Sequence, residues 1–435
     1  MNIKLKGLYL ILCVCFFFVI SLFIARLNNN KSNENKTKVV IAEDNGSKVI
    51  NYLRENYSSI DASDNKDYST FKLLDSSLKD KEVFFTAENH GVAVNSELEI
   101  KFLKYLKGKV GIKYWLLELT YSDGEMLNKY LATGDESILQ EMYKPLKGTF
   151  AWNKQSYAIW GNLYEFNKSL PEDEKIKIIG IDIEHQYVNA IRYMNSLIPD
   201  KRAPEEIKDL ISLVSETYNN INTEQSADIY VELSNKLDES IKSNPKVYKE
   251  FFGENLFGFE LVNENIIAQV KAYKDNTSFN QIRDSKMYDN FKKIYRHIPK
   301  GKFYGQWGLN HAFQKSQGNV DWLASLMNNS DSPVKGKVLS IVYLYYNCDM
   351  MKHGNYITAK LTSYGSNDNI LEPFFKEDIT LFKLTGEQSP FHQELIWPFN
   401  INASNGIIPT EGVTTDYFEY MILIKNAKAT IPLSK

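Results

Sequence analysis

The chain has 435 residues, of which 43% are hydrophobic and 24% charged; that mixture is enough to bury one large core or two moderate ones and excludes a disordered polymer. A formal net charge of −3 with acidic and basic residues interspersed excludes a surface built to displace counterions from nucleic acid. Beyond the first 26 residues the only cysteine is Cys348, so no intramolecular disulfide holds the body together and its core must do so.

Gly7 to Ala25 is an uncharged run of 19 residues, preceded by Lys4 and Lys6 and followed by Arg26. At about 1.5 Å per residue it nearly spans a hydrocarbon core. A cleaved signal would have a shorter apolar region, about 7–15 residues, with small residues at the cut; here Phe23 and Ala25 flank it. The reading is an uncleaved single-pass anchor over residues 1–26 and a flexible Asn-, Lys- and Ser-rich linker over 27–45, followed by the body over 46–435. The lysines and arginine on the two sides do not set the orientation, but long following domains translocate largely regardless of charge, which places the body outside the cell membrane.

In the body, apolar spacing predicts a short helix over 47–57 and a strand over 81–86 that runs into Glu88-Asn89-His90-Gly91. A helix ending at Gly108 follows, then a strand over 112–119 that carries Glu118. Residues 122–170 read as helical, and a third strand over 175–184 ends on two acids, Asp182 and Glu184. Residues 203–298 read as a helical insertion with a break at Pro245. A fourth strand over 301–308 leads to His311, and further strands are expected over 337–346 and 418–424, with loops and short strands over 364–415. Strands alternating with helices predict an α/β fold, a mainly parallel central sheet covered by helices. In such sheets ligands sit outside the carboxyl ends of the strands, so four strand ends should converge on one crevice.

His90 is the candidate general base, because an imidazole titrates near neutral pH. Glu88, Glu118, Asp182 and Glu184 are candidates to orient it, although each could also serve as a helix cap or pair with a lysine. His311 follows Gly308 by three residues and could alternatively be a core imidazole. Arg283 shares a helix face with Met287 and Asn290 and could clamp a carboxylate, stabilise an oxyanion or form a structural ion pair. His185 beside Glu184 is a possible ligand or a helix-start residue. Two histidines with Glu or Asp could make a zinc or iron site, although the chain lacks His-x-x-x-His, His-Glu-x-x-His and Cys-x-x-Cys spacings; it also lacks a Gly-x-Ser-x-Gly elbow, so water activated by histidine fits better than a covalent serine intermediate.

In their order and spacing these segments resemble the erythromycin esterase-like hydrolases, within a wider grouping that includes haem-uptake and Tiki-type proteins. The resemblance covers most of residues 80–435. It rests on Glu88-Asn89-His90-Gly91, Glu118, Trp152, Phe166-Asn167, Ile179-Gly-Ile-Asp182, Arg283-Asp284 through Asn290, Gly308-Leu-Asn-His311 and the closing Phe418–Ile424 stretch. It implies a metal-independent hydrolase of a small molecule that needs no cofactor. His90 would be the base and Glu118 would orient it or the water, while His311 and Arg283 polarise the carbonyl; Glu88, Asn89, Trp152, Asp182 and Glu184 complete the site. The chain departs from the esterase pattern in carrying Ala87 three residues before His90, with its glutamate at 88. That departure keeps open a metal-dependent peptidase and a non-catalytic ligand- or haem-binding protein.

Overall fold

β-Branched and aromatic runs form the strands of the sheet and amphipathic segments form its cover. The computed structural model describes residues 43–64, 66–221, 227–329, 331–365, 369–400 and 408–434. The expected anchor and all but the last residues of the expected linker lie outside them, and no helix among the described residues is long and apolar enough to cross a membrane. The described residues open with α1 (Glu43–Glu55), β1 (Tyr57–Ser59), β2 (Val83–Glu88), α2 (Val94–Val110), β3 (Ile112–Thr120), α3 (Tyr121–Thr133), α4 (Glu136–Tyr143), α5 (Lys154–Lys168) and β4 (Lys177–Asp182). A helical stretch follows: α6 (Tyr187–Ser196), α7 (Lys208–Asn219), α8 (Ala227–Ser243), α9 (Pro245–Phe252), α10 (Asn255–Lys274) and α11 (Phe279–His297). The remainder is β5 (Lys302–Gly308), α12 (Leu323–Met327), β6 (Val338–Tyr346), β7 (Cys348–Met351), β8 (Thr358–Leu361), β9 (Ile379–Lys383) and β10 (Tyr420–Lys425).

Eight strands form one sheet in the order β1-β9-β10-β6-β2-β5-β3-β4, and β7 and β8 form a separate hairpin. From β10 to β4 every pairing is parallel, while β9 and the three-residue β1 close one edge antiparallel. β2 is buried at every position because both faces are covered, which is why parallel strands read as unbroken apolar runs. Val83, Phe85 and Ala87 enter one core with Met287, Phe291 and Ile294 of α11, whereas Phe84 enters the other with Leu98, Phe102 and Leu106 of α2. Each fully buried Phe of this kind stabilises the fold by about 1.5–3 kcal/mol. A third core joins α6 to α10 through Met194, Val214, Leu237, Phe252 and Phe259. α10 faces two cores, because Val262 lies in this third core and Leu261 in the core shared with α11. The helical body thus begins at α6, and α11 covers the sheet; helical spacing alone does not say which core a helix faces.

The sheet splits where the site forms. β3 pairs with β5 from Ile112 with Lys302 to Trp115 with Tyr304 and no further, and the backbone groups released beyond that point find side-chain partners, as buried backbone must. The Trp307 indole N–H donates to Leu116 O at 3.0 Å, and Gly308 N–H donates to the Glu118 carboxylate at 2.8 Å. Gly305 permits the bend, since a Cβ there would lie 1.8 Å from Leu116 O.

The turn after β2 is clamped from outside. Gly91 has φ +86°, a conformation that L side chains rarely adopt, and its carbonyl accepts 2.9 Å hydrogen bonds from Met351 N–H of β7 and from Thr430 N–H. A Cβ at this position would lie 2.3 Å from Met351 O. Gly91→Ala is therefore expected to lower stability by about 1–3 kcal/mol from backbone strain alone, read as a shifted urea midpoint; an unchanged midpoint would show that the turn does not need this conformation.

Candidate active site

Because β2, β5, β3 and β4 run parallel, their carboxyl ends bring Glu88, Gly308, Glu118 and Asp182 to one edge of the sheet. α11 crosses beside this edge and is tied to β4 by Asn290, whose amide donates to Ile181 O at 2.8 Å. This contact fixes where Arg283 and Asp284, near the start of α11, project. Consecutive helical residues diverge by about 100°, and the two side chains meet opposite nitrogens of His311, Arg283 at Nε2 and Asp284 at Nδ1.

Arg283 is the hub. Its Nε donates to Asp182 Oδ1 at 2.9 Å, its Nη2 to Asp182 Oδ2 at 2.5 Å and to Glu118 Oε1 at 2.8 Å, and its Nη1 lies 3.3 Å from His311 Nε2. Asp284 Oδ1 lies 2.8 Å from His311 Nδ1 and also accepts from Leu323 N–H at 2.8 Å, which orients the ring. His311 Nε2 is left facing Glu118 Oε1 at 3.5 Å.

On the other side of Gly308, His90 Nδ1 meets Glu88 Oε1. Glu88 Oε2 accepts from Asn95, whose own amide oxygen accepts from the Tyr345 hydroxyl at 2.9 Å. With Nδ1 engaged, Nε2 is the nitrogen that faces Gly308. A Cβ grafted onto Gly308 would lie 3.3 Å from Glu118 Oε2, 3.5 Å from His90 Nε2 and 3.5 Å from His311 Cδ2, so the glycine keeps open the point on which these three side chains converge. The mouth is on the His90 side. The His90 side chain is 41% exposed, against 8% for His311 and 2% for Asp182.

The charges reinforce one another. Burial draws the His90 imidazole down, but the Glu88 carboxylate and, more weakly, Glu118 outweigh it and raise its pKa to about 9. Burial likewise opposes charge on His311, and Asp284 and Glu118 overcome it, raising the pKa to about 10. Burial would raise the Glu118 carboxyl, yet His311 and Arg283 hold it well below the usual range. Asp182 is held below the ordinary carboxylate value against burial, chiefly by Arg283.

The structure thus brings together Glu88, His90, Glu118, Asp182, Arg283 and His311 of the residues expected from sequence. Asn89 lies beside them, its backbone N–H donating to the Tyr345 hydroxyl at 3.3 Å. Glu184 turns elsewhere. It accepts from Ser122 Oγ at 2.6 Å and from Ser122 N–H at 3.2 Å at the start of α3, and burial raises its pKa to about 8. Trp152 is engaged by the C-terminal segment, its indole N–H donating to Ser434 O at 3.2 Å. Sequence reasoning missed the roles of Asn95, Asp284 and Tyr345, and it missed Phe150, which lies against His90 with ring centroids 5.3 Å apart and packs on His353 of the β7–β8 loop at 5.1 Å. The only signal for Asp284 was its place beside Arg283, and the only one for Asn95 was its position seven residues after Glu88; Tyr345 and Phe150 come from distant segments and left none.

The donor set does not fit a metal. Glu118 and Asp182 are both engaged by a guanidinium, and among the described residues no three His, Cys, Asp or Glu side chains are grouped to hold a cation.

No family model and no curated protein matches the sequence. Among solved structures, a succinoglycan biosynthesis protein superposes with a TM-score of 0.65 at 15% identity, over 89% of this chain and 99% of its own. A protein from Bacillus cereus superposes with a TM-score of 0.62 at 17% identity, over 90% of this chain and 100% of its own. A variant of the erythromycin esterase EreC in its open conformation superposes with a TM-score of 0.62 at 14% identity, over 87% of this chain and 100% of its own. The chain therefore has the erythromycin esterase-like fold that its motifs implied.

Proposed function

We propose that the crevice hydrolyses an ester, or a related bond, of a small molecule by means of water activated at His90. The observation that carries this reading is the convergence of His90 Nε2, Glu118 and His311 on the open point at Gly308. An esterase by name, EreC, shares the fold, which favours ester chemistry over other hydrolyses.

In the proposed reaction a water between His90 Nε2 and Glu118 attacks the carbonyl carbon. Its proton passes to Nε2, and Glu88 stabilises the imidazolium that forms. His311, kept cationic by Asp284 and Glu118, faces the developing oxyanion. When the tetrahedral intermediate collapses, the C–O bond to the leaving group breaks and the alkoxide takes the proton back from His90. Arg283 has its donors directed at Asp182 and Glu118, so it holds the acids in place. The Gly7–Ala25 run would tether this enzyme to the cell membrane with its body outside.

Three outcomes are expected of the purified body, residues 46–435. Against a panel of esters, His90→Gln should lower kcat/KM by about 100-fold or more, the scale of losing a general base; equal activity would remove His90 from the reaction. If the wild type cleaves no ester and instead develops a haem absorbance band when haem is added, the crevice is a binding site.

Because the base must be neutral, with Glu88 raising the His90 pKa to about 9, and His311 must stay protonated, with its pKa raised to about 10, kcat/KM should rise as the pH goes from 7 toward 9 and fall again above about 10. A profile that falls over the first interval would assign the base to another group.

Arg283→Met should destabilise the body by about 3–5 kcal/mol, because it leaves Asp182 and Glu118 buried without their counter-charge. Chemical denaturation measures this, and a loss below about 1 kcal/mol would show that the acids are solvated without the arginine.

A further inference from the structure

Asp182 is saturated. Its Oδ1 accepts from Arg283 Nε at 2.9 Å and from Ile183 N–H at 2.8 Å, and its Oδ2 accepts from Arg283 Nη2 at 2.5 Å and lies 3.2 Å from His185 Nε2. An ionised carboxylate can only accept, so His185 carries its proton on Nε2 toward Asp182. In the neutral ring Nδ1 is then an acceptor, and the Tyr273 hydroxyl lies 3.1 Å from it, placed to donate. The ring therefore has a matched partner at each end, which fixes both its tautomer and its orientation.

The placement of Tyr273 gives this chain its consequence. Tyr273 lies in the last turn of α10, and its ring meets Phe279, the first residue of α11, edge-on at 5.2 Å. Arg283 is four residues further along α11. The elbow that launches the arginine helix is thus tied by Tyr273 and His185 to the acid that the arginine grips, so the guanidinium is held both by its own helix and by its partner.

We infer that His185 is a positioning residue which, braced by Tyr273, fixes Asp182 so that Arg283 presents Glu118 to the reacting water. The inference rests on the proposed hydrolase reading. It differs from a purely structural role in predicting that rate falls while substrate binding is kept. Misplacing a catalytic group by about 1 Å can cost on the order of 100-fold, so a smaller slackening of Asp182 should cost about tenfold.

The test compares wild type, His185→Ala, His185→Gln and Tyr273→Phe in the body, using an ester that the wild type cleaves. His185→Ala should lose about tenfold or more in kcat with KM changed less than about twofold. His185→Gln, whose carboxamide still offers a donor to Asp182 and an acceptor to Tyr273, should recover most of the rate. Tyr273→Phe, which keeps the imidazole and removes only its brace, should also lower kcat, and this reading stands even if His185→Ala fails to fold. Wild-type kcat in Tyr273→Phe, a glutamine variant as impaired as the alanine variant, or a loss confined to KM would each overturn the inference while leaving the hydrolase reading intact. If the wild type cleaves no ester, both fall together.

Discussion

One guanidinium buried between two carboxylates is the constraint on which the rest of the site depends. Arg283 and Asp182 are almost withdrawn from water, with side chains 14% and 2% exposed. A charge in such surroundings is tolerated only when it is paired and its hydrogen-bonding capacity is filled. Asp182 takes two nitrogens of Arg283, and Glu118 takes one of them as well. Glu118 is then held ionised and aimed at Gly308 N–H, the backbone donor released where β3 parts from β5. The split sheet and the ion cluster support each other, since the parted strands make room for the carboxylate and the carboxylate satisfies a backbone group that the parting exposes.

The two histidines are set by different logic on either side of this cluster. His311 is enclosed by core aromatic rings, with Trp307 and Trp322 both edge-on to it at 6.0 Å and 5.7 Å; its charge comes from Asp284 and Glu118. His90 lies at the open mouth on a turn that the β7–β8 hairpin and the C-terminal segment press into place through Gly91. Carboxylates favour the protonated form of both imidazoles, but one is buried between two of them and the other is open to a ligand with a single carboxylate behind it. That asymmetry suits a pair in which one ring carries a proton to and fro while the other supplies a fixed positive charge.

Much of the site was legible because parallel strands leave a direct trace in sequence. A buried strand appears as an unbroken apolar run, and the polar residue that ends it must lie at the rim of the sheet. Glu88, Glu118, Asp182 and His311 follow from that rule, and in the structure they share one edge. Glu184 obeyed the same rule and still turned away, because two residues beyond the end of β4 the chain has bent enough for the side chain to cap α3 through Ser122. Trp152 was matched by order along the chain, which carries no direction, and the C-terminal segment claimed it.

By itself the sequence determined the fold class, the covering helices and the residues able to carry charge at the strand ends, because these depend on local periodicity and on which side chains can remain in a core. The tertiary structure decided the order of the strands, which places β5 between β2 and β3, and with it the meeting of His90, Glu118 and His311 around Gly308. It also decided that α11 belongs to the sheet and not to the helical body, that Arg283 and Asp284 meet opposite nitrogens of His311, and that Asn95, Tyr345 and Phe150 support the mouth. Those contacts join residues up to 250 positions apart, as in the bond from Tyr345 to Asn95. A pairing of that kind is fixed by the packing of whole elements, and a local pattern has no means of recording it.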